Sequence, residues 1–220
     1  MKKTILLLGV LLGCAATGWA QTGVQVGVKT GLSLAVLDGT VNQGANFKPG
    51  IHIGGVLRLR PSKHIAIQPE LVYSQQGSDN KIPVGGGITL ENKTKLSYLN
   101  LPILVKIYLG DVFNIQLGPQ FGLLLAARQD GQVGYSSGSN GSGFKTENLD
   151  VKEDYKGDIG LCGGLGADLK NGLLVAARLN YGLTDINNNE QEKAAREAYG
   201  FGGLHNRVLE FSLGYVFGGK

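Results

Sequence analysis

From Val24 the chain reads VQVGVKTGLSLAV, which sets Val24, Val26, Val28, Leu32, Leu34 and Val36 on one face and Gln25, Gly27, Lys29, Gly31 and Ser33 on the other. Successive side chains of a β-strand point to opposite sides, so this period of two specifies a strand with one apolar and one polar face. The same contrast recurs over residues 51–60, 64–75, 99–109, 113–125, 158–169, 173–184 and 208–217. A chain built this way must find cover for eight apolar strand faces. No other feature narrows its architecture as much.

The links between these segments fall into two kinds. Pro61-Ser62-Lys63, Gly110-Asp111-Val112 and Lys170-Asn171-Gly172 are short, whereas 38–50, 76–98, 128–157 and 185–206 are long. Long and short alternate, as in an up-and-down antiparallel barrel with tight turns on one rim and loops on the other. Register offers a test, because a slip of one residue moves a strand's apolar set to the wrong side. Three-residue turns pair Leu59 with Ile65, Leu109 with Phe113 and Leu169 with Leu173, and all apolar faces then coincide. In that register Gly54 stands opposite Glu70, and Gly164 opposite Arg178.

A soluble β-sandwich would also alternate, with its apolar faces packed together. Two features favour lipid as the cover instead. The polar face is rich in glycine, including Gly27, Gly31, Gly54, Gly118, Gly122, Gly160, Gly164, Gly166, Gly182 and Gly214. Glycine weakens a solvated strand but leaves room on a concave inner wall. Most runs also reach the roughly 9–11 residues that a tilted strand needs to cross a bilayer. Charged residues make up 17% of the chain, below the roughly 25% of typical soluble domains. The expected fold is therefore all-β, an eight-stranded antiparallel up-and-down transmembrane β-barrel. Phe113 and Phe217 are expected at the short-turn rim, and Tyr73 and Tyr181 towards the loop rim, as interfacial aromatics.

An eight-stranded barrel is wide enough only for side chains or one small ligand. The expected lumen set is Lys29, Arg58, Arg60, Glu70, Lys106, Asp158, Asp168, Arg178 and Glu210. Shielded charges need partners, so an ion-paired, hydrated network is the first reading; a polar pathway or ligand site is the second. His52 and His64 are expected to face the lumen near opposite ends of one hairpin, and His205 lies at the loop rim. No serine and carboxylate are fixed beside a histidine by spacing, and such triads are recognised by geometry. The stretch from Asp185, DINNNE, lacks the central glycine and the bidentate closing glutamate of a calcium loop and reads as a turn. The next stretch, EQEKAAREAYG, suits a short surface helix, and DGQVGYSSGSNGSG within 128–157 a flexible loop. No catalytic, cofactor or metal site is expected.

The N-terminus, MKKTILLLGVLLGCAATGWAQ, has the charged, apolar and small-residue zones of a secretory signal, with cleavage expected after Ala20 and the barrel domain over 21–220. LLGC offers an alternative, a lipoprotein-like box placing a lipid on Cys14. On the first reading Cys162 alone remains, so no internal disulfide forms. With a net charge of +4 and no basic cluster interleaved with aromatics, nucleic-acid binding is not expected.

As a set, GVKTGLSLAVL, IAIQPELVYSQQG, YLNLPILVKIYLG, FNIQLGPQFGLLLAA, GLGADLKNGLLVAARLNYGLTDI and NRVLEFSLGYVF resemble the PorT-like outer-membrane β-barrel family. The similarity spans residues 24–217, and its most specific parts are QPELVYSQQG and the YLNLPILVK–LGPQFG pair. It implies a barrel in the outer membrane of a Gram-negative, Bacteroidetes-type envelope, in contact with outer-membrane lipid. The expected role is structural or interactive, with envelope protein partners met through the long loops. The alternatives are a narrow solute channel and an outer-membrane lipid-modifying enzyme.

Overall fold

The computed structural model describes residues 23–38, 45–85, 88–135, 144–200 and 202–218. The signal segment 1–20, Cys14 and the tip of the 128–157 connection lie outside them. The strands are β1 (Val24–Asp38), β2 (Ala45–Leu59), β3 (Ile65–Gly85), β4 (Ile88–Leu109), β5 (Phe113–Tyr135), β6 (Phe144–Asp150), β7 (Asp158–Asp168), β8 (Leu173–Gly182) and β9 (His205–Phe217). One helix, α1 (Glu190–Ala198), precedes β9. Antiparallel pairing runs β1–β2–β3–β4–β5–β7–β8–β9, and β9 pairs back to β1. Eight strands thus close a ring, which leaves no edge in lipid where backbone groups would go unbonded. The ninth, β6, pairs with the far end of β5.

The apolar faces point out of the ring. Leu32, Ile53, Leu71, Leu101, Leu117, Leu165, Leu179 and Phe211 all lie exposed on its outer wall. Phe113 and Phe217 mark the short-turn rim, and Phe47 and Tyr181 the opposite one. Tyr73 is half-exposed, and its hydroxyl donates to Ser97 Oγ at 3.2 Å.

Two of the three tight turns have the expected register. Leu109 pairs with Phe113, and Leu169 N–H donates to Leu173 O at 2.7 Å. Gly110 and Gly172 occupy the left-handed positions these turns require, at φ 75° and 92°. The first turn differs. Leu59 pairs with Ile67 rather than Ile65, so Gly54 faces Val72 and Glu70 faces Val56, not the Gly54–Glu70 pairing expected. The cause is local. Arg60 N–H donates across to Gly23 O, Pro61 has no N–H to give, and Ser62 Oγ takes the N–H groups of His64 and Ile65. The turn widens by an even number, so the apolar faces still coincide. His64 consequently lies exposed on the turn instead of facing the lumen.

The expected loop 76–98 is largely strand, and in the expected loop 128–157 the described residues up to Asp150 are strand while 151–157 are not. β3, β4 and β5 run to 21, 22 and 23 residues, about twice what a crossing needs, and continue beyond the wall as a sheet that β6 and the start of β2 extend. Its outer face exchanges leucine for cross-strand ion pairs. Lys81 meets Glu91 at 2.8 Å, Lys93 meets Asp79 at 3.4 Å, and Lys95 meets Asp130 at 2.5 Å. A β-bulge lies at the boundary, where Ser97 pairs with Ala126 but Tyr98 with Leu124. The extra residue leaves Leu125 outward and turns Ala127 inward.

Candidate functional site

The lumen is filled from the short-turn end upward. Glu70 on β3 is the centre of the first cluster. Arg178 on β8 reaches across the ring and grips its carboxylate with two N–H groups at 2.9 and 3.0 Å. Gln68 donates to the same carboxylate at 2.7 Å. Lys29 Nζ stands 2.7 Å away, an ion pair whose angles fall short of a directed hydrogen bond. The strand backbone sets this geometry: Gly164 faces Arg178, and a side chain there would run into the Ala177 carbonyl. Arg178 also donates to Gln116 Oε1 at 2.9 Å.

Gln68 joins this cluster to a second one nearer the turns. Its Oε1 accepts from Arg58 Nε at 2.9 Å, and Arg58 reaches Asp168 at 3.1 Å. Lys106 contacts Asp168 at 3.0 and 3.2 Å, and the Tyr108 hydroxyl donates to it at 2.7 Å. Arg60, placed in the lumen by its parity, is half-buried at the rim. There its guanidinium lies over the Tyr108 ring at 4.1 Å and donates to Lys63 O. Asp158 sits at the other end, accepting from Asn206 Nδ2 at 3.0 Å and Thr184 Oγ1 at 2.9 Å. Glu210 is buried directly across the ladder from both Arg178 and Ser33. Among the described residues, four cations and four carboxylates thus share the lumen: Lys29, Arg58, Lys106 and Arg178 against Glu70, Asp158, Asp168 and Glu210. Unpaired, each would carry a desolvation cost of several kcal/mol.

His52 lies across Gly31, between Ser33 Oγ at 3.1 Å and Ser212 Oγ at 2.9 Å. Its ring is wholly buried. Cys162 is equally buried, and its thiol donates to Gln120 Oε1 at 3.2 Å.

Above the polar lumen sits a cap that no sequence pattern announced. Leu37, Leu96, Tyr98, Leu124, Ala127, Val151, Ile186 and Leu204 form one buried apolar cluster, with Tyr155 packed against it. The wall strands supply the first five, and the connections on either side of β7 and β8 fold inward to supply the rest. Backbone bonds tie those connections together: Lys156 N–H to Ile186 O at 2.9 Å, Ile186 N–H to Leu204 O at 2.8 Å, and Asn188 N–H to Asp154 O at 2.8 Å. Residues 185–190 make a series of turns. Asp185 Oδ1 accepts from Asn187 N–H and Leu204 N–H, Asn187 Oδ1 accepts from Asn189 N–H, and Asn189 caps α1. Partial burial opposes ionisation of Asp185, but those two N–H bonds and the nearby Lys156 and His205 hold its carboxyl below the usual carboxylate range. The only sequence sign of the cap is a few apolar residues, Val151, Ile186 and Leu204, isolated in polar connections.

Residues 19–188 match the family model described as outer membrane protein beta-barrel domain. Solved structures that align with this chain include neisserial surface protein A, with 12% identity over 88% of this chain and 98% of that one and a TM-score of 0.47. The attachment invasion locus protein Ail of Yersinia pestis aligns at 10% identity over 88% and 98%, with a TM-score of 0.41. The outer membrane protein OprG of Pseudomonas aeruginosa aligns at 15% identity over 89% and 97%, with a TM-score of 0.36. No curated protein matches the sequence.

Proposed function

The chain belongs to the outer membrane protein β-barrel domain family, and from that premise we propose that it is a closed, non-enzymatic barrel of the PorT-like kind. Its role is to present the sheet and loops beyond the membrane to other envelope proteins. One observation carries this reading: the interior is occupied twice over, by the Glu70–Arg178 and Asp168–Lys106 networks and by the apolar cluster around Ile186. A barrel arranged in this way offers its contacts on the outside of the cap. Leu149 on β6 and Tyr199 after α1 are exposed there, Tyr199 at 78%. His52, enclosed between two serines, has no surface on which to meet a substrate, which supports the non-enzymatic part.

The test is photo-crosslinking in native membranes from positions 149 and 199, with lipid-facing position 165 as control. Discrete protein adducts from the first two positions and none from the third are expected. Adducts that are identical at all three positions would overturn the reading. A narrow channel is the second reading, favoured by the unpaired side-chain amide groups of Asn100, Asn114 and Asn180 on the inner wall. Measurable single-channel conductance from verified inserted barrels would establish it over the first.

A further inference from the structure

The outer wall is not uniformly convex. Ala167 on β7 and Ala177 on β8 face outward like their neighbours, but the large exposed side chains of Phe113, Leu165, Phe211 and Leu213 stand around them. A groove of about 750 Å³ results, within the roughly 300–1,000 Å³ of small-ligand sites. It follows two rows of strand partners. One runs Phe113–Ala167–Val175–Leu213–Thr30, the other Leu165–Ala177–Phe211–Leu32–Ile51. The polar side chains in its lining are those of Thr30 and Ser212, and both are engaged. The Thr30 hydroxyl donates to His52 O at 2.9 Å, and Ser212 Oγ lies 2.9 Å from His52 Nε2 inside the barrel. Every other lining residue is glycine, alanine, valine, leucine, isoleucine or phenylalanine.

The groove runs obliquely. It crosses β5, β7, β8, β9, β1 and β2, so at about 4.8 Å from strand to strand it is about 24 Å long. Barrel strands tilt by about 35–45°, and a path at right angles to them climbs about 15 Å, half of the roughly 30 Å hydrocarbon core. Its low end is Phe113, directly after the turn Gly110-Asp111-Val112, and its high end is Ile51, well inside β2. Short turns of such barrels face the periplasm, so the groove spans the periplasmic leaflet from head-group level to the midplane. We propose that it holds one acyl chain of a glycerophospholipid of that leaflet. Its reach matches one leaflet, and its lining takes only hydrocarbon. Its mouth carries no net charge: among the described residues of the adjoining turns the charged ones are Lys170 and Asp111, which pair at 3.5 Å. The chain is therefore recognised and the head group is not. A chain in the groove meets side chains on its flanks as well as beneath it, contacts that a smooth wall does not offer. The inference uses the outer-membrane placement above but not the proposed role of the loops.

Native mass spectrometry of the delipidated, detergent-held barrel tests it by titration with phosphatidylethanolamine and phosphatidylglycerol carrying sixteen-carbon or ten-carbon chains. One sixteen-carbon lipid should be retained, equally for the two head groups, and the ten-carbon lipids about tenfold more weakly, since fewer methylenes meet the walls. Ala177→Trp fills the groove midway and should lower retention about tenfold by displacing those contacts. Gly55→Trp, at an outward position outside the groove with open space around it, should leave retention unchanged. Indifference to chain length, a head-group preference as large as the chain-length effect, or an Ala177→Trp barrel that retains lipid as before would each overturn the site. So would a lipid-free dimer lost with Ala177→Trp, which gives the groove to a second copy, or stronger retention of lipid A, which gives it to the opposite leaflet. Heat-modifiable migration in detergent gels is read on every sample. Its loss in the unaltered protein would fault the barrel itself, whereas its presence with unselective lipid binding faults the site alone.

Discussion

Replacing Glu70 with glutamine keeps the shape of the side chain and removes one charge. The consequence follows from who depends on that charge. Arg178 makes two bonds to it and Lys29 one ion pair, and all three groups are almost fully buried. The variant leaves the interior with four cations and three carboxylates. Breaking a buried pair by removing one partner costs about 3–5 kcal/mol, because the remaining charge has lost its compensation. With a guanidinium m-value of roughly 4 kcal/mol/M, twice the usual urea figure, that loss moves the unfolding midpoint down by about 1 M. The assay is equilibrium unfolding in lipid vesicles, followed by far-ultraviolet dichroism and by gel mobility in parallel. A second substitution sharpens it. Glu70→Gln combined with Lys29→Met restores charge balance and should recover a third or more of the shift, since replacing both members of a buried pair is often nearly neutral. A midpoint for Glu70→Gln within 0.2 M of the unaltered barrel (about 1 kcal/mol) would refute the account. So would a double variant no better than the sum of its parts.

Ile186→Ala truncates a fully buried, loop-borne side chain of the cap and should cost about 2–4 kcal/mol of local stability. The expected readout is faster proteolysis between β8 and β9, with the heat-modifiable barrel core unchanged. Cys162, fully buried, should resist maleimide in the folded barrel and react completely after boiling in detergent; labelling at equal rates would place it outside the wall. Asp185 gives a pH dependence of known sign. Its carboxyl is held below its ordinary range in the folded loop, so its contribution is present above the unfolded value of about 4 and disappears as pH falls through the lower folded value. Proteolytic sensitivity of residues 185–204 should therefore rise only below about pH 4, and Asp185→Asn should blunt that rise.

The sequence revealed the wall because lipid and lumen impose opposite demands on neighbouring residues. Alternation of Ile51, Ile53, Leu57 and Leu59 against His52, Gly54 and Arg58 is what a two-sided solvent produces in a strand. That contrast is lost where a strand leaves the membrane. From Gln76 to Lys81 both faces of β3 are polar, with Ser78 and Asn80 on one side and Asp79 and Lys81 on the other, so strand continues without contrast and reads as loop. The register of the first hairpin was hidden for another reason. It depends on where Arg60 N–H and Ser62 Oγ make their bonds, and parity is blind to a shift of two. Arg60 shows the limit of parity at a strand end, where the rim and not the lumen receives the side chain. The cap was invisible because its parts, Leu37, Leu96, Val151, Ile186 and Leu204, come from distant segments that carry no shared period.

The seam between β1 and β9 has a kinetic consequence. Val26 pairs with Phe217 and Asp38 with His205, so the first described strand waits for the last one before the ring exists. Contacts of such sequence separation are the slowest to form, because chain entropy is lost long before they repay it. Until β9 arrives, two strand edges face hydrocarbon with unbonded backbone groups, a state the bilayer does not tolerate. Closure of the ring is therefore expected to be the last pairing made, and heat-modifiable migration should appear only once Phe217 has met Val26. A chain halted before His205 holds nearly all of its local information, yet it lacks the strand that joins β8 to β1.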